Sequence, residues 1–224
     1  MEIDSHKYPY PARLRHHTCP SCYIPANELS ELPDNYPPLI TTINWSQRFL
    51  NSKPANVLDV GCGKAGLLLD YSETNPNDNI LGIEVRESIA KWAENLIKSE
   101  DIQNASVLWY SVINGLDFLD SDSFDKIFYL FPDPWTKRKH LKRRAFTTET
   151  LDIYHRLLKQ GGRLYLATDV EEVHDYHLSL VRKHPNFSFK IIETDEEWGL
   201  PVTNKERFCR REMILFDRII ATKL

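Results

Sequence analysis

The chain has 224 residues, with 28 Lys and Arg against 32 Asp and Glu, for a formal charge of −4. That length suits one well-packed α/β domain with at most a small extension, and a 42% hydrophobic share with five Trp, ten Tyr and ten Phe can fill its core. No apolar run approaches the roughly 18 residues that span a bilayer, the N-terminus has no signal-peptide core, and four cysteines suit reduced thiols, so a cytoplasmic protein with no membrane partner is expected.

Residues 1–38 hold seven of the thirteen prolines, and proline removes backbone donors, so an irregular arm is expected there, basic around Arg13–His17. Within it, HHTCPSC brings His16, His17, Cys19 and Cys22 close in sequence. A CxxC can hold two corners of a zinc site, but no second ligand pair follows at a matching spacing, so no metal is expected. A short helix is expected over 39–51, with Ile43, Trp45, Phe49 and Leu50 as buried contacts. From residue 55, short apolar runs alternate with amphipathic stretches, the pattern of a parallel sheet with crossover helices. The division is therefore 1–54 for the arm and short helix, and 55–224 for the α/β domain. Strands are expected at 56–61, 79–85, 106–111, 126–131 and 162–168. Helices are expected at 65–74, 87–99, 143–159 (stopping at Gly161-Gly162) and 171–183. The segments 188–194 and 212–224 read as an antiparallel pair at one edge of the sheet.

VLDVGCGKAG (57–66) ends the first strand with Gly61, Gly63 and Gly66, which permit a tight turn and close approach of a ligand to the backbone. Glu84 ends the second strand about 18 residues later, where an acid can accept both hydroxyls of a ribose. This much fits a dinucleotide or another adenosine cofactor. Asp59 favours the second: a carboxylate beside that turn repels a pyrophosphate, but suits the ammonium or sulfonium of S-adenosylmethionine.

YLFPDPWTKRKHLKRRAF (129–146) places Asp133 between Pro132 and Pro134, then puts six Lys and Arg in the nine residues after Trp135. Removing the +6 of Lys137, Arg138, Lys139, Lys142, Arg143 and Arg144 leaves −10 for the rest of the chain. Positive charge so concentrated points to a polyanionic partner. At the start of the helix expected over 143–159, cations would oppose the helix dipole, which an external polyanion would offset. Trp135 offers a face on which a base could stack.

In that order, VLDVGCGKAG, GIEV and FPDPWTKRKHLKRR resemble the tRNA (guanine-N7-)-methyltransferase family, and TNKERF (203–208) is similar to its T-x-x-E substrate motif. The resemblance covers about residues 55–224. It implies a Rossmann-like fold: a mostly parallel seven-stranded sheet with an antiparallel edge strand and helices on both faces. It implies S-adenosyl-L-methionine as cofactor, tRNA as partner, and methylation of a guanine N7 at position 46 of the variable loop. Asp59, Gly61, Gly63, Glu84, Ser111 and Asp133 fall at cofactor-binding positions, with Asp133 catalytic. Lys137, Asp169, Thr203, Asn204, Lys205 and Glu206 fall at substrate-binding positions, and Arg138, Lys139, Lys142, Arg143 and Arg144 at the tRNA backbone. The family often has glutamate where Asp59 stands. At Ser111 it usually carries aspartate or asparagine, and Asn114 is the nearest alternative. Monomer and homodimer both stay open, as do an NAD(P)-dependent oxidoreductase and an RNA-binding module with a degenerate cofactor pocket.

Overall fold

The computed structural model describes residues 3, 4, 6–11 and 20–224. Seven strands form one sheet in the order β3-β2-β1-β4-β5-β7-β6. The chain divides into two compact units, residues 1–118 and 119–224, so the expected arm falls within the first.

In the first unit, β1 (Val57–Val60), β2 (Ile80–Glu84) and β3 (Ala105–Trp109) run parallel. Every residue of β1 and β2 is buried, because helices cover parallel strands and leave no wet face to encode. α1 (Gly66–Thr74) follows β1. α2 (Glu87–Ser99) buries Ile89, Ala90, Ala93, Leu96 and Ile97, one stripe at helical spacing. The strand starts are tied by amides: the Asn79 side chain donates to Asn51 Oδ1 at 2.9 Å and to the Lys53 carbonyl at 3.0 Å. The register sets Asp59 beside Gly82. All five of these elements lie within a residue or two of their expected ranges.

The helix expected over 39–51 is only a 3-10 turn at Trp45–Gln47. The Leu50 amide bonds to the Gln103 carbonyl and leaves the helical ladder. Phe49 is buried as expected, while Leu50 is 73% exposed. The segment 20–36 is irregular apart from 3-10 turns at Pro20–Tyr23 and Ala26–Glu28, and it buries Cys22 and Tyr36. Arg13–His17 and Cys19 lie outside the described residues, and among the described residues no cluster suits a metal.

In the second unit, β4 (Phe124–Leu130) runs parallel to β5 (Leu158–Thr168). β7 (Asp217–Lys223) is antiparallel to β5 on one side and to β6 (Phe187–Ile191) on the other. This is the antiparallel arrangement expected at the edge. α4 (Glu171–Lys183) matches its expectation. The helix expected over 143–159 does not begin at 143: Arg138–Arg143 is a 3-10 turn, and α3 spans Thr148–Leu157, capped where the Thr147 hydroxyl accepts the Thr150 amide. The cations at 142–144 therefore precede the helix and do not oppose its dipole. Nor does the helix run to the glycines. The Asp122 and Ser123 amides take the Arg156 and Leu157 carbonyls and draw the chain into β5 early. Gly161 (φ +74) and Gly162 then lie inside β5, where its register against β4 shifts between Phe124 and Lys126. Two helices between β6 and β7, α5 (Asp195–Trp198) and α6 (Asn204–Arg211), have no counterpart among the expected elements.

A Cβ on Gly82 would meet Leu68 Cδ1 at 2.6 Å and Cys62 Sγ at 2.7 Å. Gly82→Ala is therefore expected to destabilise the protein by about 1–3 kcal/mol through overpacking, read as a lower urea midpoint.

Candidate active site

In the first unit, the chain leaves β1 through Gly61 (φ +78) and Gly63 (φ +56), a left-handed path that glycine takes without strain. The space over Gly61 is open: a Cβ there would meet nothing within 4 Å. Just before this turn, Asp59 is 4% exposed, and its carboxylate has no hydrogen-bond or ion-pair partner among the described residues. Burial, and then the charge of Glu84, push its pKa up to about 7. A buried acid without a partner, at an open glycine turn, suits a cationic ligand and disfavours a pyrophosphate.

Glu84 is buried at the end of β2, and Arg86 holds it. Its Oε1 accepts the Arg86 amide and Nε, both at 2.9 Å, and its Oε2 accepts NH2 at 3.0 Å. A carboxylate has about four acceptor sites, so capacity for a hydroxyl remains. Reading the sequence singled out Glu84 and missed Arg86, two residues on. After β3, the Ser111 hydroxyl donates to the Cys22 carbonyl at 2.7 Å. Asn114 Oδ1 accepts the Ala26 amide at 2.8 Å and the Tyr36 hydroxyl at 3.0 Å, while its Nδ2 is buried without a partner. The Ser111 donor is thus committed to the arm, and Asn114 keeps one to offer.

In the second unit, the turn after β4 is strained on both sides of Asp133. Phe131 has φ +50 and Trp135 φ +41, each costing on the order of 1–3 kcal/mol for a side chain of that size. The Phe131 amide is held by the Ala167 carbonyl at 2.7 Å. Asp133, between its two prolines, is half-buried. Trp135 is not the open stacking face expected of it. It is 8% exposed, with the Arg143 guanidinium 5.0 Å from its ring centre and His140 edge-on at 5.5 Å.

The basic run divides accordingly. Arg143 packs on Trp135, while Arg144 pairs with Glu172 at 2.6 Å, donates to the Pro134 carbonyl and covers Tyr176. Lys137, Arg138, Lys139 and Lys142 are exposed and carry no ion pair among the described residues.

Two further sets of expected substrate residues meet. Lys205 on α6 pairs with Asp169, just past β5, at 2.6 Å. Thr203 and Glu206 form a capping box: Glu206 Oε2 accepts the Thr203 amide at 2.6 Å, and the Thr203 hydroxyl accepts the Glu206 amide at 3.0 Å. Glu206 is fully buried, whereas Asn204 is exposed.

This strand order, with an unpartnered acid before the glycine turn of β1 and a second acid ending β2, defines a Rossmann-like methyltransferase. A family described as "Putative methyltransferase" matches residues 53–212. A tRNA (guanine-N(7)-)-methyltransferase of Prochlorococcus marinus is 32% identical over 77% of this chain and 88% of its own length. One from Candida glabrata is 30% identical over 77% of this chain and 67% of its own, and one from Vanderwaltozyma polyspora is 31% identical over 77% and 65%. The chain thus spans about two thirds of the length of these fungal relatives. Among solved structures, a SAM-dependent O-methyltransferase of Thermotoga maritima matches with TM-score 0.52 at 19% identity, covering 78% of this chain and 62% of that one. The aminoglycoside resistance methyltransferase NpmB1 matches with TM-score 0.51 at 19% identity, covering 75% and 86%. These two likenesses show the fold alone. The chain belongs to the tRNA (guanine-N(7)-)-methyltransferase family.

The raised pKa of Asp59 has a definite sign. From pH about 4 to about 7 the folded protein holds a proton there that the unfolded chain has released, so the stability of the ligand-free protein falls as pH rises through that window. A cationic ligand favours the ionised form. S-adenosylhomocysteine, which keeps the ammonium, is therefore expected to bind more tightly as pH rises toward about 7. Asp59→Asn is expected to flatten that dependence, weaken binding at pH 8, and raise the ligand-free Tm at pH 8 by about 2–4 °C or more. Calorimetry and thermal melts across pH check this; a wild-type pH profile in the variant would refute it.

Proposed function

We propose that the protein transfers a methyl group from S-adenosylmethionine to N7 of a guanine in tRNA. The observation that carries this reading is the P-D-P-W turn. It is strained at Phe131 and Trp135, and it leads an otherwise acidic chain into four exposed cations that carry no ion pair among the described residues. A methyltransferase acting on a small neutral substrate has no need of such a run.

When bound, S-adenosylmethionine supplies a methyl group activated on a positively charged sulfur. Asp59 would face its cationic amino-acid end and Glu84 its ribose, with Asn114 or Ser111 toward the adenine. Guanine N7 presents a lone pair and no proton, so no side chain has to act as a base. What remains is alignment and charge. As the purine becomes cationic, a fixed carboxylate offsets that charge, and this is the role assigned to Asp133. Lys137, four residues on, would hold the target nucleotide, and Arg138, Lys139 and Lys142 the flanking phosphates. Asp169, Thr203, Asn204, Lys205 and Glu206 would complete the substrate side. The protein would act as a monomer or homodimer. An oxidoreductase reading is not favoured, because nothing in it uses Asp59 or the exposed cations.

The direct test is incubation with unmodified bulk tRNA followed by nucleoside analysis; absence of 7-methylguanosine would sink the proposal. In the same assay, Asp133→Asn keeps shape and removes charge. It is expected to lower turnover at least about tenfold, with the dissociation constant of S-adenosylhomocysteine within about threefold of wild type. Neutralising Arg138, Lys139 and Lys142 together is expected to weaken tRNA binding and flatten its salt dependence by about one unit of log–log slope per lost phosphate contact. Arg143→Met and Arg144→Met are instead expected to lower Tm, since their guanidiniums are engaged with Trp135 and Glu172. A wild-type salt slope in the triple variant would show that the RNA binds elsewhere.

A further inference from the structure

The T-x-x-E motif raises a problem that its neighbours resolve. A carboxylate that reads RNA must be reachable, yet Glu206 is 0% exposed and both its oxygens are engaged. Oε2 takes the Thr203 amide, closing the capping box of α6. Oε1 takes two donors from Arg218 on β7, Nε at 3.1 Å and NH2 at 2.5 Å. Arg218 is itself 4% exposed. Its third nitrogen, NH1, reaches Asp195 on α5 at 2.7 Å, and its guanidinium lies 5.1 Å from the Trp198 ring centre and 5.0 Å from that of Phe216. All three nitrogens are used and two aromatic rings pack against the group, so it is held in one orientation. Two N–H groups of one rigid guanidinium converge on Glu206 Oε1 while the third nitrogen reaches Asp195, a fixed fork of donors that a lysine ammonium cannot reproduce.

We infer that Arg218 is a positioning residue for the substrate motif, and that Glu206 serves recognition through what it holds, without touching RNA. This rests on the proposed tRNA reading. The chain of contacts runs from the rigid strand β7 through Arg218 to Glu206, and from Glu206 to the backbone of Thr203 at the start of α6. With that start fixed, Asn204 is presented outward, and the Lys205 ammonium is brought to Asp169 at 2.6 Å. The surface the RNA meets is then Asn204, Lys205 and Asp169. The threonine and glutamate of the motif are its concealed frame. Removing Arg218 alone strands a buried carboxylate, so the frame should loosen at its weakest point, the loop 201–203 and the first turn of α6.

The experiment uses the full chain and four variants: R218M, R218K, E206Q and the pair E206Q/R218M. Wild-type formation of 7-methylguanosine in tRNA comes first; if it is absent, the tRNA reading itself fails, independently of Arg218. Given that activity, R218M is expected to raise the KM for tRNA at least about tenfold while the dissociation constant of S-adenosylhomocysteine stays within about twofold. Without any RNA, amide hydrogen exchange across residues 201–206 should quicken at least about tenfold, with β4 and β5 unchanged. R218K, which keeps the charge but not the fork, should fall between R218M and wild type. The pair should be no worse than the poorer single variant, because the two groups act as one unit. It also carries the test if R218M does not fold: the amide oxygen introduced by E206Q can still cap Thr203, no buried charge is left alone, and only the anchor to β7 is missing. Wild-type KM and exchange in a folded R218M, or in the pair, overturns the inference. So does a loss of turnover in E206Q that R218M does not share, since that would put the carboxylate on the RNA.

Discussion

A parallel sheet covered on both faces has no wet surface along its strands, so a charge within it must sit at a strand end or be neutralised there. In the first unit, where every residue of β1 and β2 is buried, that constraint governs where the acids sit. Asp59 and Glu84 come at the carboxyl ends of β1 and β2, and Asp133 and Asp169 just beyond the ends of β4 and β5. The two acids of the first unit are resolved differently. Glu84 is held in a defined place by Arg86. Asp59 has no such partner among the described residues, and burial pushes its pKa up to about 7. The fold therefore tolerates an unfavourable group at a point where a cation would relieve it.

The same division governs the arginines and lysines. Arginine's flat, weakly hydrated guanidinium is used inside or half-inside: Arg218 against Trp198 and Phe216, Arg143 on Trp135, Arg144 on Tyr176. Lys137, Arg138, Lys139 and Lys142 stay in water and carry no ion pair among the described residues. A stretch that reads as one block of positive charge is thus two populations. One builds the turn that carries Asp133, and the other remains available to an anion. Neutralising the second should leave the fold intact, and neutralising the first should not.

The N-terminal segment takes part in the first unit's site side. Its Cys22 carbonyl receives the Ser111 hydroxyl, its Ala26 amide and Tyr36 hydroxyl converge on Asn114, and Cys22 and Tyr36 pack with Ala26, Leu29 and Val85. These bonds shape the loop after β3 and take up polar groups that a sequence reading would assign to a ligand. The Cys22 thiol is buried 3.6 Å from the Asn35 carbonyl, serving as a small apolar filler.

The sequence by itself determined the β1–α1–β2–α2–β3 frame, the glycine turn, the two acids at its strand ends and the place of Asp133. Each depends on local periodicity or on residues adjacent in the chain, and such signals survive without knowledge of the neighbours. Tertiary structure alone decided where α3 ends, because the amides of Asp122 and Ser123 take the Arg156 and Leu157 carbonyls; its start at the Thr147 cap is a local signal that the apolar spacing obscured. It decided that Gly161 and Gly162 lie within β5, at the shift of its register against β4, and do not stop a helix. It decided that Trp135 faces inward, that Leu50 faces outward, and that Glu206 is hidden behind Arg218. A side chain's exposure and its partner are set by what packs against it from distant parts of the chain. Glu206 and Arg218 are twelve residues apart on different elements, and no periodicity encodes their meeting.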